Sequence, residues 1–463
     1  MHIKHTCVLL GIALLVKFFA ILYTGFDLFG DEAQYWIWSQ NLDLGYYSKP
    51  PLLAWVIGSF SYLFGSSFEV LKIIPIGAYV LSSFVVCLIS QELYDNKQLS
   101  FFSGATFYLL PAVSLSSFLI STDVILILFW SLSLLFLLRI RKNPKIINFF
   151  ILGIFLGLSF LAKYAAIYFL LSLIMLVFLD ETIKKIFFKK IFHFVFFLGT
   201  SLVVLLPNIF WNIQNNWVTL SHTSDNASLN KISFSLLRGG EFLLTQGVMI
   251  GPLLFLFFFI NINKIKYNFS TKFLLSFSLP ILFIVFSESV LVRANANWAA
   301  VALISLSIFF TKHIYGLSKK ILVANNIINF LICVILFFFI SNTSSLKFFN
   351  RINGVSSFAN TLVEKHMQDI DFLVVEDRLL FSNLKYILNN SQKKIYTSHE
   401  PGKKITSSFH LSDPLPPTFS KSFIFLGDIG EINYLIKKNQ IKKIEQIKVL
   451  FKKNEVEIYE VIF

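Results

Sequence analysis

What most restricts the folding of this chain is the recurrence of apolar runs long enough to cross a bilayer. A helix needs about 20 such residues to span the hydrocarbon core. Backbone groups in lipid must be satisfied within the protein, which leaves helices or a closed barrel. Runs at 6–24, 68–91, 99–117, 122–140, 146–162, 164–180, 191–210, 241–260, 273–290, 298–311 and 321–341 meet or approach that length. They predict an α-helical polytopic membrane protein with about eleven transmembrane helices. The 298–311 run is short, and 146–180 reads as two spans or one hairpin. Leu52–Phe64 is too short to cross and reads as an amphipathic helix on the membrane surface.

Charges between the runs orient them. With the N-terminus inside, the inner loops carry Arg139, Arg141, Lys142 and Lys145, then Lys184, Lys185, Lys189 and Lys190. Lys264, Lys266 and Lys272 follow, then Lys312, Lys319 and Lys320. The outer loops hold few bases: Lys49, Lys163, Lys231, Arg238 and Arg293. Cytoplasmic loops are enriched in Lys and Arg, so loop 25–67 and the C-terminus are expected outside, in the periplasm of a bacterium. The same topology explains much of the net charge of +14 without nucleic acid, which a basic balance can otherwise signal.

The N-terminal run is interrupted by Lys17 and lacks a small-residue cleavage site, so it reads as an uncleaved anchor. Lys17 itself is either a snorkelling residue or the partner of an interior acid. Cys7, Cys87 and Cys333 are scattered, and the histidines show no ligand spacing. Neither a disulfide framework nor a dedicated zinc site is expected.

After Ser341 the hydropathy changes, dividing the chain into a membrane domain, 1–341, and a small soluble α/β domain, 342–463. In the second, Asp371–Val375 reads as a strand followed by a helix over Leu379–Leu388. Ser422–Asp428 reads as a second strand followed by a helix through Leu435. Ile447–Phe451 and Val456–Phe463 form a candidate closing pair. No glycine-rich nucleotide loop is present.

The stretch Gly30–Trp55 differs from its surroundings. It holds Asp31 and Glu32, the aromatics Tyr35, Trp36, Trp38, Tyr46 and Tyr47, then Lys49, Pro50 and Pro51. If Asp31–Asn41 is helical, Asp31, Tyr35 and Trp38 share one face. A carboxylate beside aromatic rings suits gripping a sugar and taking a proton from a hydroxyl. An interfacial aromatic belt with solvated charges is the plainer alternative.

The connected string Asp31-Glu32-Ala33, Tyr35-Trp36, Gly45-Tyr46-Tyr47 and Lys49-Pro50-Pro51 resembles the first periplasmic loop of GT-C polyprenyl-phosphate-sugar glycosyltransferases. The bacterial branch with the lipid A aminoarabinose transferase and the lipopolysaccharide galacturonosyltransferases looks most similar. Protein O-mannosyltransferases are more distant. Asn297-Trp298-Ala299-Ala300 resembles a second signature of that family.

The resemblance implies an inverting transfer from an undecaprenyl-phosphate-linked sugar to a glycolipid acceptor among membrane lipids. Asp31 would be the base, with Glu32 either positioning the acceptor or capping a helix. Lys49, Lys163, Arg238 and Arg293 would contact the donor phosphate. Tyr35, Trp38, Tyr46, Tyr47, Asn297 and Trp298 would contact sugar or acceptor. Asp123 reads as a helix cap or a site-rim carboxylate, the cap being preferred. Relatives often carry an acid where this chain has Ser48, which puts a divalent metal in doubt; Asp31 would be its ligand if one binds. Transfer to protein Ser/Thr, or a transporter of lipid-linked sugars, are the alternative readings.

Overall fold

The computed structural model describes residues 2–227, 232–260, 263, 265–436 and 440–463. Lys231 and Lys264 lie outside the described residues. Six described helices are long and apolar enough to cross a membrane: Ile3–Tyr23, Phe68–Tyr94, Thr122–Lys142, Ile191–Gln214, Phe269–Leu291 and Lys319–Ser341. Tyr164–Leu179 and Glu181–Lys189 together would make a seventh, bent by 109°. At the bend Asp180 accepts the Ile183 N–H at 2.9 Å and caps the second helix.

The other apolar runs are shorter helices, and local chemistry shows why. The 99–117 run divides into Lys97–Leu109 and Pro111–Ser116, because Pro111 has no N–H to continue the first helix and its ring suits a helix start. The 241–260 run divides into Leu236–Ile250 and Pro252–Ile260 at Gly251, whose φ of +106° suits glycine. Helix length alone therefore supplies fewer crossings than the eleven read from hydropathy.

The chain forms two compact units. The first comprises Met1–Ala20, Ser48–Leu53 and Leu71–Phe338. Within it, Ile146–Ala162 packs on Thr122–Lys142 and on Ile191–Gln214. Gly153 and Gly157 permit the second crossing. A Cβ on Gly153 would lie 2.7 Å from the Phe197 carbonyl, and one on Gly157 2.6 Å from Val204 Cβ. Small residues four apart let membrane helices approach in this way, and Ser201 Oγ donates to the Gly153 carbonyl at 2.9 Å. Lys17 is fully buried here, its Nζ 4.0 Å from the Tyr108 ring centre, a cation–π geometry.

The second unit comprises Ile21–Tyr47, Ala54–Val70 and Phe339–Phe463, so most of the first loop folds with the C-terminal segment. Its sheet has β1 (Phe372–Val375), β2 (Lys394–Thr397), β3 (Phe423–Leu426), β4 (Ile441–Ile447) and β5 (Val456–Val461) in the order β2-β1-β3-β5-β4. β1 is parallel to β2 and β3, whereas β5 is antiparallel to β3 and β4. β3 is central and buried at every position. Val374, Phe423, Phe425, Ile432, Tyr459 and Val461 form its core.

Two expectations for this segment need correction, and one strand lies outside them. β2 was not anticipated. The helix expected after β3 is a 3₁₀ turn at Ile429–Ile432. β4 lies at Ile441–Ile447 rather than Ile447–Phe451; its isoleucines recur every third residue, which hides the two-residue period of a strand. A register shift between Lys443 and Glu445 absorbs the mismatch.

Asp27 ties the first loop into this unit. Its carboxylate accepts from the Val355 and Ser356 N–H groups at 2.8 and 3.2 Å, and from the Ser356 hydroxyl. It thereby serves the N-terminus of the Val355–His366 helix.

Candidate active site

Gly30–Gln40 is helical, as the acidic-aromatic pattern implies. Glu32 accepts the Phe29 N–H at 2.8 Å and is 1% exposed. Its geometry is that of a helix cap, placed where the N-terminal dipole favours an acid. Asp31 is different: its side chain is 39% exposed and its Oδ1 accepts from Arg378 Nη1 at 2.9 Å. The same Nη1 donates to Gln34 Oε1. Asp31 and Gln34, three residues apart, present both acceptors on one face.

Arg378 opens the helix Arg378–Ile387, capped by Asp377, whose Oδ1 accepts the Leu380 N–H at 2.8 Å. The two helix starts meet because Gly30 has no side chain. A Cβ there would lie 2.6 Å from Leu379 Cβ and 3.0 Å from Leu379 Cα. Sequence reasoning missed Arg378. It stands 347 residues from Asp31 in a segment without a motif, so no local signal points to it.

The aromatics are packed inward. Tyr35 and Trp38 have ring centres 5.6 Å apart, and Trp38 stacks on Tyr46 at 4.6 Å with 5° between planes. All three are 6–7% exposed. The Tyr46 hydroxyl donates to the Trp38 carbonyl at 3.0 Å, and burial pushes its phenol up to about 12. Trp38 and Tyr46 thus stack face to face, with Tyr35 tilted at 54° against Trp38. Tyr47, half-buried, donates to the Ile405 carbonyl at 3.0 Å.

A divalent cation does not fit at Asp31. Such ions gather several oxygen ligands, and here one carboxylate and one amide oxygen face a guanidinium that would repel the ion.

The other candidates lie in the first unit. Lys163 follows the Ile146–Ala162 helix in extended backbone, and its Nζ donates to Asp123 Oδ1 at 2.7 Å. The two side chains are 19% and 12% exposed. Asn297 Nδ2 donates to the other oxygen, Oδ2, at 2.9 Å. Asp123 therefore bridges Lys163 and Asn297, and the preferred helix-cap reading is corrected. Tyr164, next in sequence, donates to Asn208 Oδ1 at 2.7 Å and accepts from Asn212 Nδ2 at 3.1 Å.

Asn297 and Trp298 sit in the 3₁₀ turn Ala296–Ala299. Gln246 Nε2 holds that turn by donating to the Ala296 carbonyl at 3.0 Å. Trp298 is half-buried. Ala296 also lines a cavity of about 350 Å³ with Arg238, Glu241, Thr245, Ser289 and Arg293. Arg238 is braced by Ser233 Oγ at 3.1 Å and the Val290 carbonyl at 3.3 Å. The fold thus brings Arg238 and Arg293 to one cavity and engages Lys163 with a carboxylate. Lys49 is half-buried in the same unit.

Residues 48–211 match the family model described as dolichyl-phosphate-mannose-protein mannosyltransferase. The chain is 29% identical over 421 residues to the lipid A galacturonosyltransferase RgtD of Rhizobium johnstonii, covering 87% of this chain and 86% of that protein. The crystal structure of ArnT from Cupriavidus metallidurans in the apo state superposes with a TM-score of 0.70 at 12% identity, covering 99% of this chain and 98% of that one. ArnT bound to undecaprenyl phosphate gives 0.68 at the same identity and coverage. The Archaeoglobus fulgidus oligosaccharyltransferase complex with zinc and sulfate gives 0.51 at 14% identity, covering 90% of this chain and 67% of that one. Family model, curated relative and fold agree that this multi-pass membrane chain resembles the GT-C glycosyltransferases of the lipid A and lipopolysaccharide branch.

Proposed function

We propose that the chain is an inverting glycosyltransferase that moves a sugar from undecaprenyl phosphate to a glycolipid hydroxyl, such as one on lipid A or lipopolysaccharide core, at the periplasmic face. The observation that carries this reading is Asp31: a half-exposed carboxylate on a helix start, held in place by Arg378. In the reaction Asp31 accepts the proton of the acceptor hydroxyl as its oxygen attacks the anomeric carbon. The carbon–oxygen bond to the phosphate breaks, and polyprenyl phosphate leaves as a monoester anion. Attack opposite the phosphate inverts the centre.

Arg238 and Arg293 face one cavity and are suited to phosphate through their forked donors. Lys49 and Lys163 add cationic groups. Asn297 and Trp298, beside that cavity in sequence and turn, are proposed to contact the sugar. The relative that acts on lipid A and the undecaprenyl phosphate complex of ArnT support the donor and acceptor classes. The proposed topology has about eleven crossings with the N-terminus inside, consistent with the distribution of loop bases. Residues 1–341 would supply the membrane catalytic domain and 342–463 a periplasmic domain, with most of loop 25–67 folding with the latter.

The test is Asp31→Asn in the purified full chain, supplied with synthetic undecaprenyl-phosphate sugars and a lipid A acceptor. Loss of transfer by about 10²-fold or more is expected for removal of a general base. Unchanged turnover would overturn the assignment. Mass spectrometry of lipid A from a deletion strain identifies the transferred sugar.

A further inference from the structure

The contact between Arg378 and Asp31 poses a chemical problem for a base. A guanidinium donating to the carboxylate at 2.9 Å occupies the Oδ1 that an incoming hydroxyl would need. Two features make the contact releasable. Both side chains are more than a third exposed, at 37% and 39%, and ion pairs open to water are weak tethers. Arg378 also commits a single nitrogen, Nη1, to both Asp31 and Gln34. A guanidinium carries five N–H donors in a fixed fork, and among the described residues no hydrogen bond from Nη2 or Nε is found.

We propose that Arg378 is a specificity-determining residue that recognises an anionic substituent of the substrate and, in doing so, releases Asp31 for catalysis. Without substrate, Arg378 holds Asp31 oriented and its Oδ1 occupied. An incoming carboxylate or phosphate offers two charged oxygens in the bidentate geometry that guanidinium prefers, against the single oxygen of Asp31. The guanidinium exchanges partners, and the freed carboxylate takes up the acceptor hydroxyl's proton. The anion has two sources with the same chemistry: the carboxylate of a uronic sugar on the donor, or a phosphate on the glycolipid acceptor. This inference rests on the proposed glycosyl transfer with Asp31 as base.

The experiment uses the full chain in lipid vesicles and two matched pairs of substrates. One pair is undecaprenyl-phosphate galacturonic acid against undecaprenyl-phosphate galactose. The other is a phosphorylated glycolipid acceptor against its dephosphorylated form. The wild type should prefer the anionic member of one pair by about 10-fold in kcat/KM, as befits a charge-assisted contact that is partly solvated. Arg378→Gln should bring that ratio to near one, and Arg378→Lys should retain part of it, since lysine keeps the charge and loses the fork. The pair whose ratio collapses names the source. Equal loss on both members of both pairs would reduce Arg378 to a structural contact, and an unchanged ratio would overturn the proposal.

Should Arg378→Gln fail to fold, Asp31→Asn gives an independent readout. Removing the competing carboxylate should tighten binding of the anionic ligand relative to its neutral partner, and equal binding of the two would refute the exchange. Absence of transfer by the wild type with all substrates would instead remove the glycosyltransferase reading itself, and Arg378's role with it.

Discussion

Gly30→Ala tests how the candidate base is positioned. The new Cβ would lie 2.6 Å from Leu379 Cβ, 2.9 Å from Leu379 Cδ2 and 3.0 Å from Leu379 Cα. Carbon atoms rest about 3.5–4.0 Å apart, so the overlap is about 1 Å. One of the atoms struck is backbone, so rotating the leucine side chain does not relieve it. Replacing glycine by alanine within a helix gains at most about 1 kcal/mol, and less at a helix start. Overpacking costs about 1–3 kcal/mol, so the net sign is destabilising, by about 1–2 kcal/mol.

The more telling effect is on distance. If the helix Arg378–Ile387 withdraws by that 1 Å, the 2.9 Å contact of Nη1 with Asp31 lengthens to about 4 Å, beyond hydrogen-bond range. Two assays follow: thermal unfolding in detergent, and the anionic-to-neutral substrate ratio described for Arg378. The ratio should fall in Gly30→Ala as it does in Arg378→Gln, at a rate still measurable with neutral substrate. A variant with wild-type melting and a wild-type ratio would refute the packing argument.

Other consequences can be measured in the same preparations. Lys163→Met leaves Asp123, 12% exposed on its side chain, without its cation and should cost about 2–3 kcal/mol, below the full penalty for a buried pair because some water reaches it. Lys163→Met combined with Asp123→Asn should recover part of that loss, and strict additivity in thermal unfolding would refute the coupling. His410 stacks on His399 with ring centres 4.4 Å apart; burial first, then the His399 charge, lowers its pKa to about 4. The unfolded chain therefore binds more protons between about pH 6.5 and 4, and stability should fall as pH drops through that window. Because the ring is half-buried, the loss should be about 1 kcal/mol rather than the larger figure the shift alone implies; His410→Gln should flatten it, and an unaltered slope would refute the assignment.

The membrane character, the helical start of the Asp31 stretch and much of the C-terminal sheet were legible because each rests on local order in sequence. Apolar runs must become helices in lipid, and alternating or continuous apolar residues mark strands such as β1, β3 and β5. Where the period misleads, reading failed: isoleucine at every third residue conceals β4, whose bulge is a property of pairing with β5. Trp38 and Tyr46 were legible as aromatic but not as mutually stacked, since a ring beside an acid looks alike whether it faces a sugar or another ring.

The sequence by itself determined that this chain is a multi-pass membrane protein and that an acid, aromatics and a lysine-proline turn follow its first apolar run. Only the tertiary structure decided which groups those side chains meet. Arg378 reaches Asp31 across 347 residues, Asn297 reaches Asp123 across 174, and Arg238 and Arg293 share one cavity. The physical reason is one of range. Hydropathy and helix periodicity are encoded within a few turns of chain, whereas a salt bridge depends on the close approach of distant elements, here permitted by the missing side chain of Gly30.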